Sequence, residues 1–181
     1  MSNRDIMKAI KANKQRRHSM TYQENYQKWV DFADLPDYLR QDLNNMDEKT
    51  KEDAFYTNLE FGTAGMRGLI GAGTNRINIY VVRQATEGLA RLIESKGGNE
   101  KERGVAIAYD SRHFSPEFAF ESAAVLAKHG IKSYVFESLR PTPELSFAVR
   151  HLNCFAGIMI TASHNPAPFN GYKVYGEDGG Q

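Results

Sequence analysis

Val105-Ala-Ile-Ala-Tyr109 is a strand-length apolar run, and the chain after it repeats one pattern. Ser115-Pro116-Glu117 reads as an N-cap, a first-turn proline and a first-turn acid. It opens a helix predicted to reach His129, with Gly130 to end it. Ile131 to Phe136 reads as a second strand, Thr142-Pro143-Glu144 opens a helix to about Leu152, and Ala156 to Thr161 is a third strand. Strand, helix, strand, helix, strand with short links predicts an α/β fold: a mixed, mostly parallel sheet with helices on both faces. Ligands of such sheets bind beyond the carboxyl ends of the strands. Two polar clusters fall there, Asp110-Ser-Arg112 after the first strand and Ala162-Ser-His-Asn-Pro166 after the third.

Upstream, Ile79 to Ser95 reads as a helix closed by Gly97-Gly98. Asn58 to Ala72 carries Gly62, Gly65, Gly68 and Gly71 among apolar residues, which predicts extended chain interrupted by close turns. The interval is too short for a repeat architecture. Residues 20–57 read as helical: Trp29, Val30, Phe32 and Ala33 fall at helical spacings, and Leu35, Leu39 and Leu43 recur every four residues. Pro36 suits the first turn of a second helix, and Glu48 to Tyr56 a third. Residues 1–19 carry six basic side chains against Asp5 alone, with no aromatic residue, and read as a solvated extension rather than a nucleic-acid arm. The division is a basic extension over 1–19, a helical segment over 20–57 and an α/β body over 58–181.

Net charge is +1, from 23 basic and 22 acidic residues. Such balance gives no field toward nucleic acid, an anionic membrane or an acidic partner. No apolar run approaches the roughly 18 residues of a membrane span, and the N-terminus lacks the apolar core of a signal peptide. Cys154 is the single cysteine and sits in an apolar run, so a buried, inert thiol in a reducing compartment is expected, with the cytoplasm as the location.

Within Thr161-Ala-Ser-His-Asn-Pro166, Asn165-Pro166 forces a turn and holds Asn165 away from the helical region. Ser163 is thereby placed just past a buried strand on a constrained, open loop, as a nucleophile requires. A generic strand-end loop explains the same residues. His164 follows directly, and in extended chain its side chain would point the opposite way from Ser163, so the pair is not a hydrolase triad by itself. Gly68 to Gly73 has the spacing of a P-loop start, but Thr74-Asn75 stands where the lysine and hydroxyl would be. His18, His113, His129 and His151 are scattered and suit surface or capping positions better than metal ligation.

The serine loop resembles the phosphoserine loop of the α-D-phosphohexomutases, the phosphoglucomutase and phosphomannomutase superfamily. Three segments agree in order. Phe61-Gly-Thr-Ala-Gly-Met-Arg-Gly68 is similar to the family's first active-site segment, Tyr109-Asp-Ser-Arg112 to its strand-end turn, and Asn170-Gly-Tyr-Lys173 to the motif after the serine. The likeness runs from Met20 to Gln181 and is nearest bacterial phosphoglucomutases of the type that includes phosphopentomutases.

The resemblance implies a four-domain enzyme that moves a phosphoryl group between two positions of a sugar phosphate through a bisphosphorylated sugar. Ser163 would carry the phosphoryl group and, through it, bind Mg²⁺. Lys173 would act as general base or stabilise phosphoryl oxygens, and a cationic neighbour could depress its pKa. Arg67, Thr63, Asn165 and Lys173 would bind substrate or phosphate, with His164 lining the site. Glucose 1,6-bisphosphate is the implied activator, a sugar phosphate the substrate, and the remaining domains the partners. The family's metal-binding, sugar-binding and C-terminal phosphate loops are absent from these residues. The body over 58–181 is therefore read as a first domain incomplete at its C-terminus, and the chain alone is expected to be inactive. A phosphomannomutase or phosphopentomutase, an inactive fragment and an unrelated anion-binding α/β module are the alternatives.

Overall fold

The computed structural model describes residues 20–181, so the reading of residues 1–19 falls outside it. Thr21 starts α1 (Tyr22–Val30) with a capping box: its hydroxyl accepts from the Glu24 N–H, and the Glu24 carboxylate accepts from the Thr21 N–H. Pro36 precedes α2 (Asp37–Asn44). Asp47 caps α3 (Glu48–Phe55) by accepting from the Thr50 N–H at 2.8 Å. Leu39 and Leu43, one turn apart, are buried, and the ring of Phe55 receives edge contacts from Tyr26 and Trp29. These helices share one apolar core with the sheet.

β1 (Met66–Leu69) is followed by α4 (Ile79–Lys96). Asn78 joins them. Its carbonyl oxygen accepts from the Val81 N–H, and its amide donates to the carbonyls of Gly71 and Gly73 at 2.9 Å each. One buried side chain thus starts the helix and closes the loop before it. Gly97 ends α4 in the left-handed conformation at φ 72°. A single turn, α5 (Glu100–Arg103), then precedes β2; four residues are too few to show a helical period.

The predicted alternation follows as β2 (Val105–Tyr109), α6 (Ser115–Lys128), β3 (Ser133–Val135), α7 (Thr142–His151) and β4 (Ala156–Ile160). Two details differ from the sequence reading. The N-caps are Phe114 and Pro141, not Ser115 and Thr142, and neither forms a side-chain cap. Ser115 is the first residue of α6, and its hydroxyl turns to Asp110 at 2.8 Å. The prolines still favour the helix starts, because their φ is preset and no N–H goes unpaired. β5 (Phe169–Tyr175) was not foreseen as a strand, because Asn170-Gly171 interrupts its β-branched and aromatic pattern.

The sheet order is β1-β5-β4-β2-β3, with β4, β2 and β3 parallel and β5 antiparallel to both its neighbours, β4 and β1. Side chains alternate between faces. Ile107, Ile158, Ile160, Tyr172 and Val174 join the core beneath α4 and α6, while Ala106, Ala108, Met159 and Tyr175 pack with Leu145 and Val149 of α7. Helices therefore cover both faces, as predicted. Cys154 is fully buried, and burial pushes its thiol pKa up, which agrees with an inert packing role.

At the far end of this α4–α6 layer, His129 donates from Nε2 to Glu87 at 2.8 Å and meets Glu94 through Nδ1 at 3.2 Å. The bond to Glu87, and secondarily that to Glu94, raises its pKa above 6.5. Lys101 bonds the same Glu94, and Arg91 the same Glu87. The raised pKa means that this contribution to stability is complete below the unfolded value of about 6.5 and is lost as pH rises through the folded value. His129→Ala should therefore lower the Tm of the protein at about pH 6 and leave it nearly unchanged at about pH 9. Thermal unfolding at the two pH values measures this, and an equal Tm loss at both would contradict the ion-pair account.

Candidate active site

Ser163 sits three residues beyond β4 with φ 58°, in the left-handed region. A non-glycine residue holds this conformation only when its surroundings impose it. The Ser163 N–H donates to Thr161 Oγ1 at 2.9 Å, and the Asn165 N–H closes a turn on the Ala162 carbonyl. The left-handed turn also changes the relation of Ser163 to His164. Extended chain would separate the two side chains, whereas here His164 Nδ1 lies 3.4 Å from Ser163 Oγ. The expectation of opposed side chains is corrected, because the chain at Ser163 is not extended.

The loop is tied to the strand-end cluster after β2. Arg112 Nη2 donates to the carbonyls of Ser163 at 2.9 Å and Asn165 at 2.6 Å, and Nη1 to those of Pro166 and Phe169 at 3.0 Å each. Asp110 Oδ2 faces Arg112 Nε at 3.4 Å. Asp110 Oδ1 accepts from the Arg112 N–H and from Ser115 Oγ. Fully buried Asn170 donates to Ser115 Oγ and to the His113 carbonyl, at 2.9 Å each. The Asn170-Gly-Tyr-Lys173 motif thus divides its labour. Asn170 ties the loops, Tyr172 packs in the core against Phe61 with its hydroxyl at Thr86, and Lys173 faces the other side of β5. Gly171 is required by space: a Cβ there would lie 2.6 Å from the Met66 carbonyl and 2.7 Å from that of Thr161.

Arg67 pairs across the sheet with Gly171, two residues from Lys173, so both basic side chains stand on one face of the sheet. Arg67 Nη1 donates to Asn165 Oδ1 at 3.3 Å, which links it to the serine loop. Its Nε is buried with no hydrogen-bond partner, one of two such side-chain atoms among the described residues. Lys173 is 8% exposed and donates to Gln181 Oε1 at 3.1 Å. Burial, and then the charge of Arg67, holds its pKa below the usual lysine value. Thr63 lies at the exposed tip of a turn bridged by Gly62 and Gly65. Gly65 packs so closely on the Tyr172 carbonyl and the Lys173 side chain that a Cβ would meet them at 2.6 and 3.0 Å.

Ser163, His164, Asn165 and Arg67 are joined by direct contacts, and Lys173 is coupled to Arg67 by charge. Thr63 reaches the group only through the backbone of its turn. A cavity lined by Ser163 is otherwise bounded by Asp110, Ser111, Arg112, His113 and Ala167, and by neither Arg67 nor Lys173. Sequence reasoning marked Asp110-Ser-Arg112 as a strand-end cluster without seeing that Arg112 supports the serine loop; its position after the strand was the available signal. No group of three His, Cys, Asp or Glu side chains among the described residues is placed to hold a metal. Asp110 is committed to Arg112 and Ser115, so these residues do not fit a Mg²⁺ site by themselves.

The fold and site define an α/β domain that presents a strained serine at a strand end, beside two basic side chains on one sheet face. Residues 58–181 match the family Phosphoglucomutase/phosphomannomutase, alpha/beta/alpha domain I, and the chain belongs to that family. It is 46% identical over 153 residues to a phosphoglucomutase of Staphylococcus epidermidis, covering 84% of this chain and 27% of that protein. A phosphoglucomutase of Staphylococcus aureus is 50% identical over 131 residues, 72% of this chain and 23% of its own length. Among solved structures, a proposed phosphomannomutase from Thermus thermophilus is similar at 35% identity and TM-score 0.61, over 68% of this chain and 27% of that one. The chain spans about a quarter of the length of the curated relatives it matches. Among the described residues, no helix is long and apolar enough to cross a membrane.

Proposed function

We propose that this chain is the phosphoryl-carrying part of a phosphoglucomutase that interconverts glucose 1-phosphate and glucose 6-phosphate. Phosphoserine 163 passes its phosphoryl group to the free hydroxyl of the sugar phosphate: the Ser Oγ–P bond breaks, the sugar O–P bond forms, the sugar hydroxyl loses its proton, and Ser163 Oγ gains one. Lys173 takes that proton from the sugar, and His164, 3.4 Å from Oγ, is placed to deliver one to the serine. The bisphosphorylated sugar then returns its other phosphoryl group to Ser163. Arg67 and Lys173 hold phosphoryl oxygens, while Asn165 and Thr63 line the approach.

The observation that carries this reading is Ser163 held in the left-handed region at a strand end, with Arg67 bonded to its loop and Lys173 on the same sheet face. A guanidinium and an ammonium on one sheet face beside an open serine give phosphoryl oxygens charged donors. Glucose is favoured by relatives 46% and 50% identical that are phosphoglucomutases, and mannose by the Thermus thermophilus structure. The division into segments at residues 57 and 58, a cytoplasmic location and glucose 1,6-bisphosphate as activator belong to the same proposal. So does Mg²⁺: a phosphate on Ser163 would supply one ligand, and the others would come from the remainder of the full-length protein.

A coupled assay of the full-length protein with each sugar 1-phosphate and its bisphosphate tests the assignment. The kcat/KM for glucose 1-phosphate should exceed that for mannose 1-phosphate by at least about tenfold, roughly 1.4 kcal/mol of transition-state discrimination. The reverse order would assign a phosphomannomutase.

A further inference from the structure

We propose that Arg112 is the positioning residue that imposes the reactive geometry of Ser163, acting as a strap beneath the loop and not as a phosphate ligand. This deepens the carrier reading of Ser163 and rests on it. A guanidinium offers five N–H donors in a rigid plane. Here each terminal nitrogen donates to two carbonyls, those of Ser163 and Asn165 from one and those of Pro166 and Phe169 from the other. The remaining donor faces Asp110. No donor is left for a phosphate, in contrast to Arg67, whose Nε lacks a partner.

The strap ties together the points that decide where Oγ stands. Ser163 is in the left-handed region, where an L-residue does not settle unaided, and its own carbonyl is one of the four held. The Pro166 and Phe169 carbonyls lie at the two ends of the turn that leads into β5, so one plane fixes both the serine and the strand that carries Lys173. Arg112 is aimed in turn. Asp110 faces its Nε, Ser115 holds Asp110, and buried Asn170 holds Ser115. Lysine cannot replace this arrangement: its three donors radiate from one nitrogen, and four carbonyls on a fork-shaped contact exceed its reach.

Arg112→Lys in the full-length protein, with Ser163→Ala prepared alongside, separates the strap from the carrier role. Amide hydrogen exchange should quicken in residues 161–170 and stay unchanged in β2 and β4, where the core is intact. The kcat should fall roughly 10²-fold, as a misplacement of about 1 Å produces, while KM stays within about twofold because the phosphate ligands remain. Unchanged exchange in the loop, or unchanged kcat, would each overturn the proposal. A loss of kcat that merely follows loss of folded protein would overturn it as well, since that describes general stability. Activity in Ser163→Ala would instead defeat the carrier reading, and with it the reason for the strap, while the exchange data would still report whether the loop had loosened.

Discussion

Ser163→Ala in the full-length protein should lower mutase kcat by on the order of 10⁴-fold or more, with little change in Tm. Alanine removes the oxygen that would accept and donate the phosphoryl group, and no other side chain in the loop can substitute. Thr161 Oγ1 is occupied by the Ser163 N–H, and His164 Nδ1 is 3.4 Å from the missing atom. The fold should tolerate the change. The Ser163 side chain is exposed, and the strap from Arg112 holds the backbone carbonyl rather than the hydroxyl. A coupled assay and a thermal melt on the same preparation measure the two halves of this expectation, and appreciable turnover in the variant would remove Ser163 from the mechanism.

The second large effect concerns Lys173. Lys173→Met should reduce kcat by roughly 10²–10⁴-fold, the usual contribution of a positioned acid or base. Burial and the neighbouring charge of Arg67 already push the Lys173 pKa down. The sign is fixed by this depression: the neutral amine, able to accept a proton, becomes populated at a lower pH than in an ordinary lysine. The pH profile of kcat/KM should therefore carry an acidic limb that disappears in Lys173→Met. Lys173→Arg keeps the charge but cannot release a proton, so it should be as inactive as the methionine variant if proton acceptance is the main role. Activity near wild type in Lys173→Arg would show that charge alone suffices.

Much of this was legible in the chain before any coordinates. The α/β alternation could be read because proline and an acid stand at two helix starts, and because β2 and β4 are apolar throughout, as strands covered on both faces must be. The exact caps could not be read, since Ser115 is recruited to Asp110 by a contact that local grammar does not encode. β5 was missed for a related reason: Asn170 and Gly171 look like loop residues, yet one ties two loops and the other is demanded by crowding between β1 and β4. Resemblance supplied Ser163, His164, Arg67 and Lys173 as candidates. It did not supply the left-handed turn at Ser163, the unpaired Arg67 Nε or the four carbonyls gathered by Arg112, which depend on residues some 50 to 98 positions apart meeting in space.

In the proposed reading, Ser163 carries the phosphoryl group. Its most direct test is peptide mass spectrometry of the full-length protein, first after incubation with glucose 1,6-bisphosphate and then after addition of excess glucose 1-phosphate carrying heavy oxygen in its phosphate. A single added phosphoryl group is expected on the peptide containing Ser163, and the heavy label should appear in it on turnover, because the bisphosphorylated sugar returns its other phosphoryl group to the serine. Phosphate transferred reversibly to another residue, with Ser163 unmodified throughout, would contradict it.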